Sequence, residues 1–158
     1  MPGGLAMAAL ILALDQASKF WILDMLDLPA RGQVGVLPFF NLTMVWNRGV
    51  TFGLLASDSE LGQTLLTGLA AVVVGALLVW MRRAEHWWVA LALGAVIGGA
   101  IGNVIDRVRF AAVVDFLHFH AWGWHWYVFN VADAAIVCGV VVLAADGLWP
   151  RRTSAPAP

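Results

Sequence analysis

Residues 61–81 (LGQTLLTGLAAVVVGALLVWM) form an unbroken stretch without a single acid or base. As a helix, such a stretch is about 30 Å long, which matches the hydrocarbon thickness of a bilayer. Residues 87–105 (WWVALALGAVIGGAIGNVI) repeat the pattern and open with two tryptophans, residues suited to a headgroup boundary. A third apolar run, 130–149, holds one acid near each end, Asp133 and Asp146. A fourth, 4–23, contains Asp15 and Lys19. Composition agrees: 61% of the 158 residues are apolar and 12% charged, with a mean hydropathy of +0.82. Soluble domains carry roughly 25% charge, and a water-soluble globule of this size could not hide so much apolar surface. The sequence therefore predicts an all-α membrane protein with four transmembrane helices, as one domain over residues 1–158.

The first apolar run lacks a basic leader and a clean small-residue cleavage site, so it reads as a retained helix rather than a signal peptide. Arg82 and Arg83 occupy the tight turn between the second and third spans, and Arg151 and Arg152 follow the fourth. Short basic connections stay in the cytoplasm, so both termini are expected there. Segments 24–60 and 106–129 then face the outside. Their arginines, Arg31, Arg48, Arg107 and Arg109, dilute this bias.

Those outer segments carry structure of their own. Residues 33–55 mix β-branched and aromatic side chains with Gly, Pro and Asn, which predicts short strands or a small sheet cradle. Residues 110–129 (FAAVVDFLHFHAWGWHWYVF) are suited to the membrane interface. The tail 153–158 (TSAPAP) reads as a disordered end. The net charge of −1 and the lack of a basic run exclude nucleic acid as a partner. Cys138, the single cysteine, excludes an internal disulfide and a cysteine metal cluster, and reads as a small buried side chain.

Ionisable groups within spans cost roughly 2.5–3.5 kcal/mol each on insertion scales, so each needs a reason. Asp15 and Lys19 are spaced i,i+4 and can pair. Asn103 and Asp106 share a face at i,i+3, with Arg107 one residue beyond. Asn130 and Asp133 repeat the arrangement, and Asp115 falls between. Singly these acids read as helix caps or interfacial groups. Together, Asp106, Asp115 and Asp133 converge with two asparagines near one membrane surface. Two neighbouring carboxylates share a proton, a state suited to peptide hydrolysis. One takes a proton from water, while the other donates to the carbonyl oxygen and then to the departing amine.

Other chemistries fare worse. No Gly-x-Ser-x-Gly elbow occurs. His118, His120 and His125 make a zinc site conceivable, but no His-Glu-x-x-His motif supports one, and polar contacts in an aromatic stretch are the plainer reading. Gly98, Gly99 and Gly102 lie within a span and read as helix-packing glycines rather than a nucleotide loop.

Five ordered blocks then resemble the bacterial lipoprotein signal peptidases (signal peptidase II). They are Asp15-Gln16-x-x-Lys19, Asn47-x-Gly49 continuing to Phe52-Gly53, Gly98-Gly99-x-x-Gly102-Asn103-x-x-Asp106-Arg107, Val114-Asp115-Phe116 and Phe129-Asn130-x-Ala132-Asp133. Two positions depart from the family pattern, Thr51 and Val128, and neither touches the acids. The resemblance implies an intramembrane aspartic endopeptidase that removes signal peptides from prolipoproteins just before a diacylglyceryl-modified cysteine. It implies Asp115 and Asp133 as the catalytic pair. Asp15, Lys19, Asn47, Gly49, Asn103, Asp106, Arg107 and Asn130 fall around them as supporting or substrate-binding positions. The choice of Asp115 over Asp106 rests on the resemblance, with one physical hint: Arg107 beside Asp106 would hold it ionised.

The expected partners are diacylated prolipoproteins and membrane lipid. The chain is expected as a monomer in the bacterial inner membrane, with no cofactor and no metal. Two rival readings remain at this level. One is a proton-coupled transporter relaying through Asp15, Asp106 and Asp133, and the other is a scaffold whose acids only cap helices.

Overall fold

The computed structural model describes residues 1–49 and 60–148. Thr51, Phe52, Gly53, the end of the expected 33–55 strand region, Trp149, Arg151, Arg152 and the 153–158 tail lie outside the described residues. Helix α1 (Pro2–Phe20) begins with proline in its first turn, where the missing N–H costs nothing, and continues as one π-helical turn, Trp21–Met25. The short α2 (Leu28–Arg31), β1 (Gln33–Leu37) and β2 (Phe40–Asn47) follow. Next come α3 (Glu60–Arg82), α4 (Trp87–Phe110), β3 (Val113–Ala121), β4 (Trp124–His125) and α5 (Val131–Leu148). Among the described residues, four segments are long and apolar enough to cross a bilayer: Pro2–Met25, Gly62–Arg82, Trp87–Phe110 and Val131–Leu148. With the four-stranded antiparallel sheet β1-β2-β3-β4, this is the expected fold class.

Helix α4 is the axis of the bundle, packed on by α1, α3 and α5. The outer helices turn Leu69, Val72 and Val137 outward, an arrangement that hydrocarbon satisfies and water would not. Cys138 lies on this outward surface of α5 and is exposed, not buried as its apolar run suggested. In a lipid-facing helix an apolar neighbourhood in sequence no longer implies burial in protein.

Close approach of α1 to α4 depends on absent side chains. A Cβ at Gly94, Gly98 or Gly102 would collide with Gly4 O, Ala8 O and Asp15 Oδ2 respectively. On the other side of α4, a Cβ at Gly99 would stand 2.6 Å from Ala132 O of α5. Gly98, Gly99 and Gly102 are the packing glycines the sequence suggested, Gly94 joins them, and without a hydrophobic drive between helices such contact is what holds a bundle in lipid.

The expected end of the third span, residue 105, is overtaken by five positions. Helix α4 runs to Phe110 and closes at Ala111, whose φ is +52°. The sequence reading places 106–129 in the outer segment, beyond the span. Asp106 is instead paired inside the bundle, and arginines in a last turn favour the helix C-terminus.

The sheet stands at the end of the bundle that carries the polar residues. Between β2 and β3 the register runs from Leu42↔Leu117 to Val45↔Asp115, so Thr43 and Met44 oppose Phe116 alone, a β-bulge. Beyond it, Asn47 and Asp115 are diagonal neighbours on one face. Trp122 and Gly123, both at positive φ, make the two-residue β3–β4 turn. Phe129 bridges back to Leu117, which delivers Asn130 and the start of α5 beside β3. Two apolar cores result. Ala8, Met81, Leu93 and Ile97 fill the bundle, and Ile22, Leu28, Leu42, Val114 and Phe116 underlie the sheet. The polar residues of α1 and α4 lie between them in sequence on both helices.

Candidate active site

Lys19 is the centre of a buried charge cluster. Its Nζ pairs with Asp15 Oδ2 at 2.8 Å and with Asp106 Oδ2 at 2.7 Å, and it donates to Asn103 Oδ1 at 3.2 Å. The i,i+4 pair is present, but it is half of a triad. Asp106 also accepts from Val114 N–H at 3.1 Å, and Asp15 from Ala132 N–H at 3.0 Å. The cluster therefore ties α1 to α4, to β3 and to the start of α5. Burial of charges this deep is tolerable only because each is paired and hydrogen-bonded.

Arg107, expected to act on Asp106 from the next position, is not its ion-pair partner: Lys19, from another helix, pairs with Asp106, while Arg107 Nη1 donates to the backbone oxygen of Asn103 at 3.3 Å. Residue i+1 on a helix points about 100° away, so sequence adjacency did not make a pair. The charge of Arg107 nonetheless acts on Asp133, Asp115 and Asp106.

Above the triad two asparagines join the other acids. Asn103 Nδ2 donates to Asp133 Oδ1 at 2.8 Å. Asn130 Nδ2 donates to Asp115 Oδ1 at 2.7 Å and reaches Asn103 Oδ1 at 3.3 Å. Asn47 Nδ2 donates to Asp115 Oδ2 at 2.9 Å, and its own Oδ1 accepts from Gly49 N–H at 3.3 Å, which fixes the amide's orientation. Asp115 and Asp133 are thus the two ends of a continuous amide chain, Asp115–Asn130–Asn103–Asp133.

Asn130 and Asp133 also form a reciprocal helix cap. Asn130 Oδ1 accepts from Asp133 N–H at 2.9 Å, and Asp133 Oδ2 accepts from Asn130 N–H at 3.4 Å. The plain capping reading of these residues is realised, and the cap orients the Asp133 carboxyl.

The two end acids differ from the triad acids in what remains free. Asp115 is buried and holds only neutral donors. Its pKa is pushed up from 3.8 to about 7, chiefly by burial, with the neighbouring charge of Asp133 adding to the rise. The amides of Asn47 and Asn130 and the more distant Lys19 charge pull the other way without prevailing. Asp133 is half-buried, within reach of an incoming group. A carboxyl near neutrality beside an accessible carboxylate can move protons in both directions at physiological pH.

The family model described as signal peptidase (SPase) II matches residues 7–149. The chain belongs to the signal peptidase II family. A lipoprotein signal peptidase of Methylobacterium sp. (strain 4-46) is 53% identical over 146 residues, covering 92% of this chain and 88% of the relative. That of Beijerinckia indica subsp. indica is 45% identical over 156 residues, covering 99% and 93%. A bacterial membrane enzyme solved by the in meso method at 1.9 Å resolution superimposes with a TM-score of 0.81 at 25% identity, covering 96% of each chain. A second, at 2.3 Å, shares the fold with a TM-score of 0.83 at 24% identity. A signal peptidase II is a protease, and the transporter reading finds no support among these relatives.

All ten residues singled out in the sequence fall in this one network. Gln16, quoted in the first motif but given no role, belongs with them. Its Nε2 donates to Asp15 at 3.1 Å and to Asp106 at 3.2 Å, and it approaches Gly102 O at 3.4 Å. The available signal was its place one residue from Asp15 in a span, where an unpaired amide is costly.

Proposed function

We propose that this signal peptidase II is an intramembrane aspartic endopeptidase acting through Asp115 and Asp133. Its substrates are diacylated prolipoproteins, cut just before the modified cysteine. The observation that carries the reading is the division of labour among four buried or half-buried aspartates. Asp15 and Asp106 are neutralised by Lys19, whereas Asp115 and Asp133 hold only amide donors and face one another through Asn130 and Asn103.

In the proposed cycle Asp115 starts protonated, consistent with its raised pKa, and Asp133 carries the pair's shared negative charge in the first turn of α5, where helix dipoles attract an anion. Asp133 takes a proton from water as the oxygen attacks the scissile carbonyl, and Asp115 gives its proton to the carbonyl oxygen. Collapse of the gem-diol returns that proton to Asp115, breaks the C–N bond and passes the proton on Asp133 to the departing amine. Asn47, Asn103 and Asn130 hold the carboxyls in register, and Arg107 stabilises the charge that shifts between them.

The substrate enters sideways from the bilayer, since its acyl chains are worth about 0.8 kcal/mol per buried methylene. The protein acts as a monomer in the inner membrane with cytoplasmic termini and an extracytoplasmic site. Incubating purified protein with a diacylated prolipoprotein, and weighing the products, tests the activity. An intact substrate, or a cut elsewhere in the chain, would exclude the reading.

A further inference from the structure

The α3–α4 turn and the last turn of α5 enclose a second polar site, at the end of the bundle opposite the sheet. A cavity of 170 Å³ opens there, lined chiefly by Trp80, Arg83, Glu85, His86 and Asp146. Its walls are held in place. The His86 ring stacks on Trp88 with centres 4.4 Å apart and planes 5° apart, and Trp88 Nε1 donates to Asp146 Oδ1 at 2.9 Å. These contacts tie the start of α4 to the end of α5. Arg83 and Glu85 are exposed at the mouth, and neither makes an ion pair among the described residues.

The apolar run of α3 ends at Arg82 and that of α4 begins at Trp87, which sets the cavity at headgroup depth. Trp80 and Trp88 suit that boundary. One turn further into the bilayer, Val79 of α3 and Val142 of α5 are exposed and offer acyl chains a surface. The volume is below the ~300–1,000 Å³ of sites that enclose a whole small molecule, and it suits a headgroup whose chains stay outside.

We propose that this cavity binds the headgroup of a phospholipid bearing a phosphate and a primary ammonium, of the phosphatidylethanolamine class. The lining carries both signs of charge without pairing Arg83 to Glu85, which complements a zwitterion. Arg83 offers the planar fork of donors that matches a phosphate, beside the His86 ring. Helix α4 begins at this wall with no acid and no side-chain cap in its first turn, so its N–H groups add to the pull on the anion. The carboxylates of Glu85 and Asp146 receive the ammonium. Phosphatidylglycerol would set only negative charge against two carboxylates and one guanidinium, and phosphatidylcholine has no N–H to donate. The site is remote from the aspartates and does not depend on the reaction proposed for them.

Native mass spectrometry of the full chain in detergent, supplied with equal amounts of the three lipids, tests this, with thermal unfolding as a second readout. Phosphatidylethanolamine should be retained in preference to the other two and should raise Tm most. Arg83→Gln should weaken its retention ~3–10-fold, the loss of one charge-assisted contact near a surface. Glu85→Gln should erase the preference over phosphatidylglycerol. Both positions are exposed, so both variants should fold, and Arg31→Gln, on α2 at the sheet end, should change neither readout. Glycerophosphoethanolamine, the same headgroup without chains, should raise Tm less than the lipid does. An equal effect would make the ligand a soluble phosphate ester and overturn the lipid assignment. Equal retention of all three lipids by wild type, or an unchanged preference in both Arg83→Gln and Glu85→Gln, overturns the proposal.

Discussion

Replacing Asp115 by asparagine should remove cleavage and, at the same time, remove a pH-dependent weakness of the fold. The Asp115 pKa is raised from 3.8 to about 7 in the folded protein. A carboxyl raised in this way supports the fold fully below its unfolded pKa, and that support is lost as pH rises through the folded pKa. The window is therefore pH 4 to 7, and the nominal loss is about 4 kcal/mol, at about 1.4 kcal/mol per unit. Asparagine does not titrate, so Asp115→Asn escapes this loss.

It has a cost of its own. Both Asp115 oxygens accept from amide donors, Asn130 at 2.7 Å and Asn47 at 2.9 Å, and an asparagine must turn its NH₂ toward one of them. A mismatched buried donor costs about 1–3 kcal/mol, independent of pH. Thermal unfolding of wild type and variant in detergent, from pH 4.5 to 8.5, separates the two effects. The wild-type Tm should fall relative to the variant's as pH rises to 7, and the gap should be constant above it. Parallel curves would refute the reasoning about Asp115.

Three further outcomes follow from the same contacts. Lys19→Met should destabilise by about 3–5 kcal/mol, because it strands both Asp15 and Asp106, and only the triple variant with Asp15→Asn and Asp106→Asn should recover in thermal unfolding. Gly102→Ala should lower Tm and slow cleavage by pressing a methyl on Asp15 Oδ2, by about 1–3 kcal/mol in stability, whereas Gly75→Ala, which meets open space, should do neither. A cysteine at position 84, between α3 and α4, should be labelled by an impermeant maleimide only after the cytoplasmic side is opened.

Local signals carried the spans, the Asp15–Lys19 spacing, the packing glycines and the strand character of residues 33–47, whereas 113–121, read as part of an interfacial segment, forms strand β3. Each depends on neighbours within a few positions, where period and cost are readable. What stayed hidden depends on contacts across the chain. Lys19 meets Asp106 from a different helix, so Arg107 next door looked like the partner. Helix α4 continues past residue 105 because its charges find partners inside the bundle, which no window of sequence displays. The β-bulge opposite Phe116 sets which face Asn47 and Asp115 share, and register of this kind is fixed by pairing rather than by composition. Convergence of Asp106, Asp115 and Asp133 at one end was legible, and the preference for Asp115 and Asp133 came with the family resemblance, but the pairing of Asp106 with Lys19 was not legible.

The most direct test of the central claim is the mass of the new N-terminus when a diacylated prolipoprotein is incubated with wild type, Asp115→Asn, Asp133→Asn, their double variant and Asp106→Asn. The account expects product beginning at the modified cysteine from wild type. Each single variant of the pair should fall by at least ~10²-fold, and the double should be hardly worse, since members of one catalytic unit do not add. Asp106→Asn should be impaired yet measurable. Near-normal cleavage by Asp115→Asn, with none from Asp106→Asn, would move the reactive pair to Asp106 and Asp133 and contradict the account.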